Sequence, residues 1–191
     1  MNLPNKLTLL RLCLIPVFTA VFFVSALPYH YIISAVIFVL AAATDFLDGY
    51  IARKYNLVTD LGKFLDPIAD KVLVSTACII MLVPVGESPA VLPWYGAIGT
   101  AIILARELIV SGFRMVAASK GVVLAADKAG KIKTTVQDIA VAVLLVGADV
   151  MPGAYSVLNI AGLCLFGLAV LLTIVSGTEC IVKNRSVIQS K

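Results

Sequence analysis

Residues 45–70 read DFLDGYIARKYNLVTDLGKFLDPIAD and lie between two strongly apolar runs. Four carboxylates fall in this stretch: Asp45, Asp48, Asp66 and Asp70. A charge at bilayer depth costs about 2.5–3.5 kcal/mol on insertion scales, so an ionisable residue there is a functional candidate. On a helix, Asp45, Asp48, Gly49 and Ala52 fall within about a 100° arc. Two acids and two minimal side chains therefore share a face. Gly62, Asp66 and Asp70 step by four and form a second stripe. Facing each other, the stripes make a floor of small residues beside a wall of four carboxylates. Unpaired, such charges repel and take up protons. Hard divalent cations remove that conflict, and oxygen-only donors suit Mg²⁺, Mn²⁺ or Ca²⁺. Two such ions would clamp a phosphoryl group undergoing in-line displacement. The plainer reading, solvated loop charges beside a helix end, explains neither the shared faces nor the small residues.

The rest of the chain fits a bilayer. It has 191 residues, 61% of them hydrophobic, and a mean hydropathy of +1.04. Soluble domains are nearer about 45–50% apolar. Runs of about 20 apolar residues are transmembrane helices. The expected architecture is an all-α integral membrane protein with a single domain over residues 1–191. A short amphipathic segment at residues 1–11 precedes six spans. These cover residues 12–27, 31–52, 63–83, 94–118, 134–150 and 156–182, with Pro67 in or near the first turn of the third. The opening, with Lys6, Arg11 and Val24-Ser25-Ala26, also imitates a secretory signal peptide. Cleavage there would leave the next span beginning almost at once.

Six spans put both termini on one side. The connectors at 27–30, 84–93 and 149–155 contain no Lys or Arg. The opposite face receives the amino terminus, the 53–63 connector, a basic 119–133 loop and the tail. By the positive-inside rule, both termini and the acid cluster face the cytoplasm. Cys13, Cys78, Cys164 and Cys180 lie far apart in apolar context, with no CxxC or zinc-type spacing. They read as packing residues. His30, beside Pro28 and Tyr29, reads as a surface or interfacial residue.

The second half carries cations. Arg106 lies inside the fourth span, where a buried Arg needs an anionic partner. Glu107 is expected to be a poor one, because adjacent helical residues point apart. Arg114 stands about 80° further around the same helix. Lys128, Lys131 and Lys133 approach the same membrane face, although each also fits ordinary positive-inside charge. A cytoplasmic basic pocket beside a metal site suggests an acceptor that carries its own phosphate. Arg106, Ser111, Arg114, Lys128, Lys131 and Lys133 are its candidate residues.

The pattern Asp45-x-x-Asp48-Gly49-x-x-Ala52-Arg53, eight residues, then Gly62-x-x-x-Asp66-x-x-x-Asp70 resembles the CDP-alcohol phosphotransferase signature at every defined position. Members of that family transfer a phosphatidyl or phospho-alcohol group from a CDP-alcohol to an acceptor alcohol and release CMP. The resemblance implies that Asp45, Asp48, Asp66 and Asp70 hold two Mg²⁺ (or Mn²⁺) ions. It makes Asp70 the base for the attacking hydroxyl. It also implies that Asn5, Thr8, Asp48, Gly49, Ala52, Arg53 and Gly62 bind the CDP moiety. Three local features resemble the bacterial phosphatidylglycerolphosphate synthase branch: Asn2-x-Pro4-Asn5-x-x-Thr8-x-x-Arg11, Arg106-Glu107, and Gly130-Lys131-x-Lys133-Thr134-x-x-Gln137. That branch uses CDP-diacylglycerol and sn-glycerol 3-phosphate. The expected setting is then a homodimer in the bacterial cytoplasmic membrane. A cardiolipin, phosphatidylserine or phosphatidylinositol phosphate synthase would share the acids and differ in acceptor. A divalent-cation transporter is the alternative from another class, although cations gain nothing from arginines or a small-residue floor.

Overall fold

The computed structural model describes residues 3–55, 60–119, 128–150 and 156–184. Some side chains within its helices, those of Asp48, Ala52, Arg53, Asp66 and Lys128 among them, lie outside the described set. The described residues form six α-helices: α1 (Leu3–Phe23), α2 (His30–Lys54), α3 (Asp60–Ile80), α4 (Gly96–Ser119), α5 (Lys128–Val150) and α6 (Val157–Lys183). The β pairing among them is one isolated bridge, Val85 to Ser88, in the α3–α4 turn.

Helix α1 packs on α2 and α3, α2 also on α5, α5 on α6, and α6 on α4. Phe18, Phe22, Phe38, Leu73, Met81, Leu144 and Leu145 fill the centre. The distribution of polarity is inverted relative to a water-soluble bundle. Leu108, Met115 and Val157 face outward at 75%, 73% and 75% exposure, whereas Arg11, Lys133, Gln137, Thr173 and Ser176 are buried. Exposed apolar side chains beside buried cations suit an apolar surround, in which polar side chains turn inward. By length and composition, 5–23 and 157–183 are apolar enough to cross a bilayer, and 30–45 forms a shorter apolar stretch.

Three sequence expectations shift. The amphipathic opening is not a separate element: α1 runs unbroken from Leu3, and Arg11 lies in its middle. The basic loop is shorter than expected, because α5 begins at Lys128 and carries Lys131 and Lys133 on its first turns. Residues 120–127 of that loop lie outside the described set. His30 is buried rather than interfacial, with Nδ1 at 2.9 Å from the Phe22 carbonyl. This contact bridges the end of α1 and the start of α2, so the imidazole closes a turn rather than meeting solvent.

The start of α2 is capped from a distance. Its own N-cap residue, Tyr29, sits at φ 57° and supplies no side-chain cap. Instead the Ile32 amide donates to Asp149 Oδ2 at 2.8 Å, from the far end of α5. A carboxylate at a helix N-terminus satisfies an orphan N–H and complements the dipole.

Candidate active site

Three groups of helices bring the described polar side chains together. The first is α1. Arg11 is fully buried, and its side chain makes three contacts on α2. Nε donates to the Ala41 carbonyl at 3.2 Å and to Thr44 Oγ1 at 3.3 Å, and Nη1 pairs with Asp45 Oδ1 at 2.6 Å. Thr44 Oγ1 in turn donates to the Ala41 carbonyl at 2.6 Å. The guanidinium thus fixes one carboxylate oxygen of Asp45, while the Asp45 side chain stays 44% exposed. Thr8 and Asn5, one and two turns earlier on α1, are also buried.

The second is α3. Asp70 feels Asp45, Arg11, Glu107 and Lys133 electrostatically, so the acid ends of α2 and α3 share one region with cations of α1 and α5. Asp48 stands one turn along α2 from Asp45, and Asp66 one turn before Asp70 on α3. The four-carboxylate expectation falls in part on those two side chains, which lie outside the described set. Among the described residues, no three His, Cys, Asp or Glu side chains gather closely enough to hold an ion on their own. The donor chemistry available still suits a hard divalent cation, because the acids that converge offer oxygen alone. Gly49 is half-buried on α2 and Gly62 is buried near the start of α3.

The third is the α4–α5 pair. Glu107 Oε1 accepts from Lys133 Nζ at 2.6 Å and from Arg106 Nη1 at 2.9 Å. Arg106 Nη2 continues to Ser176 Oγ on α6 at 3.0 Å. Glu107 is therefore the partner of Arg106 that the sequence reading discounted. The two Cα–Cβ vectors do diverge, but both stems are long enough to curl back and meet. Ser111 accepts from Lys71 Nζ and donates to the Glu107 carbonyl. A hollow of about 20 Å³ opens between α3, α4 and α5, lined in part by Asp70, Lys71, Glu107, Lys133 and Gln137.

Of the expected acceptor-site residues, the structure joins Arg106 and Lys133 through Glu107 and ties Ser111 to Lys71. Arg114 and Lys131 are exposed, and Lys128 has its side chain outside the described set. Arg53 and Ala52 lie outside it likewise. The sequence reading missed the role of Arg11, together with Lys71 and Glu107. The signal for Arg11 was present, since a cation within an apolar helix demands an anion, as was argued for Arg106.

The sequence profile of CDP-alcohol phosphatidyltransferases matches residues 1–175. The chain belongs to that family. The match covers the acid stripes, the α4 cations and most of α6 in one stretch. Several relatives carry the name "CDP-diacylglycerol--glycerol-3-phosphate 3-phosphatidyltransferase". One from Bacillus subtilis strain 168 is 43% identical, covering 96% of this chain and 95% of its own. A second, from Rickettsia bellii strain RML369-C, is 42% identical over 92% and 91%. A third, from Salmonella typhimurium strain LT2, is 38% identical over 91% and 89%. Members of the CDP-alcohol phosphatidyltransferase family work with divalent metal ions, in keeping with the oxygen donors on α2 and α3.

Proposed function

We propose that this chain transfers the phosphatidyl group of CDP-diacylglycerol to sn-glycerol 3-phosphate, yielding phosphatidylglycerol phosphate and CMP. The observation that carries the reading is one convergence. Asp45 on α2 pairs with the buried Arg11 within electrostatic reach of Asp70 on α3, beside cations that share Glu107. The names of the relatives supply the substrates.

In this reading the acceptor's primary hydroxyl attacks the phosphorus that bears diacylglycerol. A new O–P bond forms, the P–O bond to CMP breaks, and the hydroxyl proton passes to the Asp70 carboxylate. Two Mg²⁺ or Mn²⁺ ions, held by Asp45, Asp48, Asp66 and Asp70, would neutralise the pyrophosphate and the departing CMP. Arg11 keeps Asp45 in register for that task by occupying one of its oxygens. Gly49, Ala52 and Gly62 leave room for the nucleotide against backbone, with Asn5, Thr8 and Arg53 as polar contacts. Arg106, Arg114 and Lys133 provide the field that draws the acceptor's phosphate, with Lys128 and Lys131 near the mouth.

The setting proposed is a bacterial cytoplasmic membrane, with one domain of six spans, both termini and the site on the cytoplasmic side, and a homodimer as the working unit. Absence of Lys and Arg from the connectors at 27–30, 84–93 and 149–155 supports that orientation. The test is purified protein with CDP-diacylglycerol, Mg²⁺ and a panel of acceptor alcohols, following CMP release. Release with sn-glycerol 3-phosphate above serine, inositol phosphate and phosphatidylglycerol is expected. Preference for one of those others would overturn the acceptor, and metal flux into liposomes without CDP-lipid would overturn the reaction class.

A further inference from the structure

The Glu107 carboxylate is used asymmetrically. Oε1 takes both cations, Lys133 Nζ at 2.6 Å and Arg106 Nη1 at 2.9 Å. Oε2 accepts from no described residue and is not among the buried unpartnered atoms, and Glu107 lines the hollow. Gln137 lines the same hollow from α5 and is 1% exposed. Its amide nitrogen reaches Cys78 Sγ at 3.7 Å, and its Oε1 is buried without a hydrogen-bond partner among the described residues. A buried acceptor left unmade is costly, and a ligand that brings a donor removes the cost. Glu107 and Gln137 thus line a space of about 20 Å³, the size of one water or one hydroxyl group.

We propose that this hollow reads the non-reacting hydroxyl of the acceptor, which donates its one O–H to Glu107 Oε2 and lies beside the Gln137 amide. The inference rests on the acceptor reading above and deepens it. A polyol phosphate brings both required groups: an anion for the Lys133 and Arg106 side, and a spare hydroxyl for the acceptor side. Because Oε1 is pinned by cations from α4 and α5, Oε2 is held in place before the ligand arrives. Glu107 is a specificity residue here, accepting a hydrogen bond and moving no proton. Such a site rejects an analogue lacking the hydroxyl, because its own polar atoms are then left unpaired.

The test compares sn-glycerol 3-phosphate with 3-hydroxypropyl phosphate, which keeps the phosphate and the attacking primary hydroxyl and lacks the secondary one. For the wild-type protein, kcat/KM by CMP release should fall about 10–100-fold on the analogue, the range of one hydrogen bond to a charged group. In Glu107→Gln the loss should fall on sn-glycerol 3-phosphate, bringing the two substrates within about threefold, with CDP-diacylglycerol binding retained. Equal use of both substrates by the wild-type protein overturns the inference, and that arm needs no variant to fold. A Glu107→Gln protein that binds CDP-diacylglycerol and keeps the wild-type ratio overturns it too. If the wild-type protein turns over neither phosphate but releases CMP with another alcohol, the acceptor reading itself has failed.

Discussion

Arg11 and Asp45 are separated by 34 residues and meet at 2.6 Å, the arginine fully buried and the aspartate half-open. The pair joins α1 to α2 at the place where the first acid of the stripe begins. Arg11 also donates to the Ala41 carbonyl and Thr44 hydroxyl, so its removal takes a donor from three groups of α2 at once.

Arg11→Met should lower detergent-solubilised stability by about 1.5–3 kcal/mol, the value of hydrogen bonds to a charged group. Turnover should fall further than stability predicts, because Asp45 loses its fixed rotamer. Arg11→Lys should recover part of the stability and little of the turnover, since one ammonium cannot reproduce the guanidinium's divergent contacts. Thermal unfolding and CMP release on the same preparations check both. Equal turnover in Arg11→Met and wild type would remove the positioning role.

Asp45→Asn and Asp66→Asn should each abolish transfer at ordinary Mg²⁺ while leaving the fold intact, because each takes one anionic oxygen from the proposed cation site. Asp70→Asn should bind CDP-diacylglycerol nearly as well as wild type. Its turnover should drop by about 10²–10⁴, the usual cost of a lost general base. Donor binding measured alongside turnover separates the roles. Lost donor binding in Asp70→Asn would make that residue chiefly a metal ligand.

Gly177 lies against Arg106. A Cβ there would meet Arg106 Cγ at 2.9 Å, so even Gly177→Ala must push the arginine stem aside. The stem is flexible, and a modest rise in acceptor KM is expected for alanine, with a larger one for Gly177→Val. Arg114→Ala should raise acceptor KM as well, with donor affinity intact, because Arg114 is exposed on α4 and within electrostatic reach of Lys71. Lower donor affinity in either variant would move these cations to the CDP side.

Asp149→Ala should act on stability alone. It strips the α2 N-terminus of the acceptor for the Ile32 amide, a loss of about 0.5–2 kcal/mol for a cap. Acceptor KM should be unchanged, since the cap lies at the opposite end of α2 from Asp45. A KM shift matching the stability loss would mean that this end of the bundle communicates with the site.

The amino-acid sequence by itself determined the family and the spacing of its acids. Apolar runs of membrane length declare helices, because a backbone in lipid must satisfy itself. The intervals between Asp45, Asp48, Asp66 and Asp70 are local, and helical geometry turns them into stripes without reference to anything distant. The same logic placed α2, α3, α4 and α6 to within about three residues of their boundaries. It failed at both ends of α1, where the amphipathic opening and the apolar run are a single helix, and at the start of α5, where lysines looked like a loop. Charge suggested solvent in both places, yet Arg11 and Lys133 are buried against carboxylates from other helices. Only the tertiary structure decided those partners. Long cationic stems reach across helix contacts that no periodicity encodes, and a burial cost within the bundle is offset by whichever acid the packing brings near. Arg11 to Asp45, Glu107 to Lys133 and Asp149 to the start of α2 were all settled by packing, each spanning a sequence gap that local rules cannot cross.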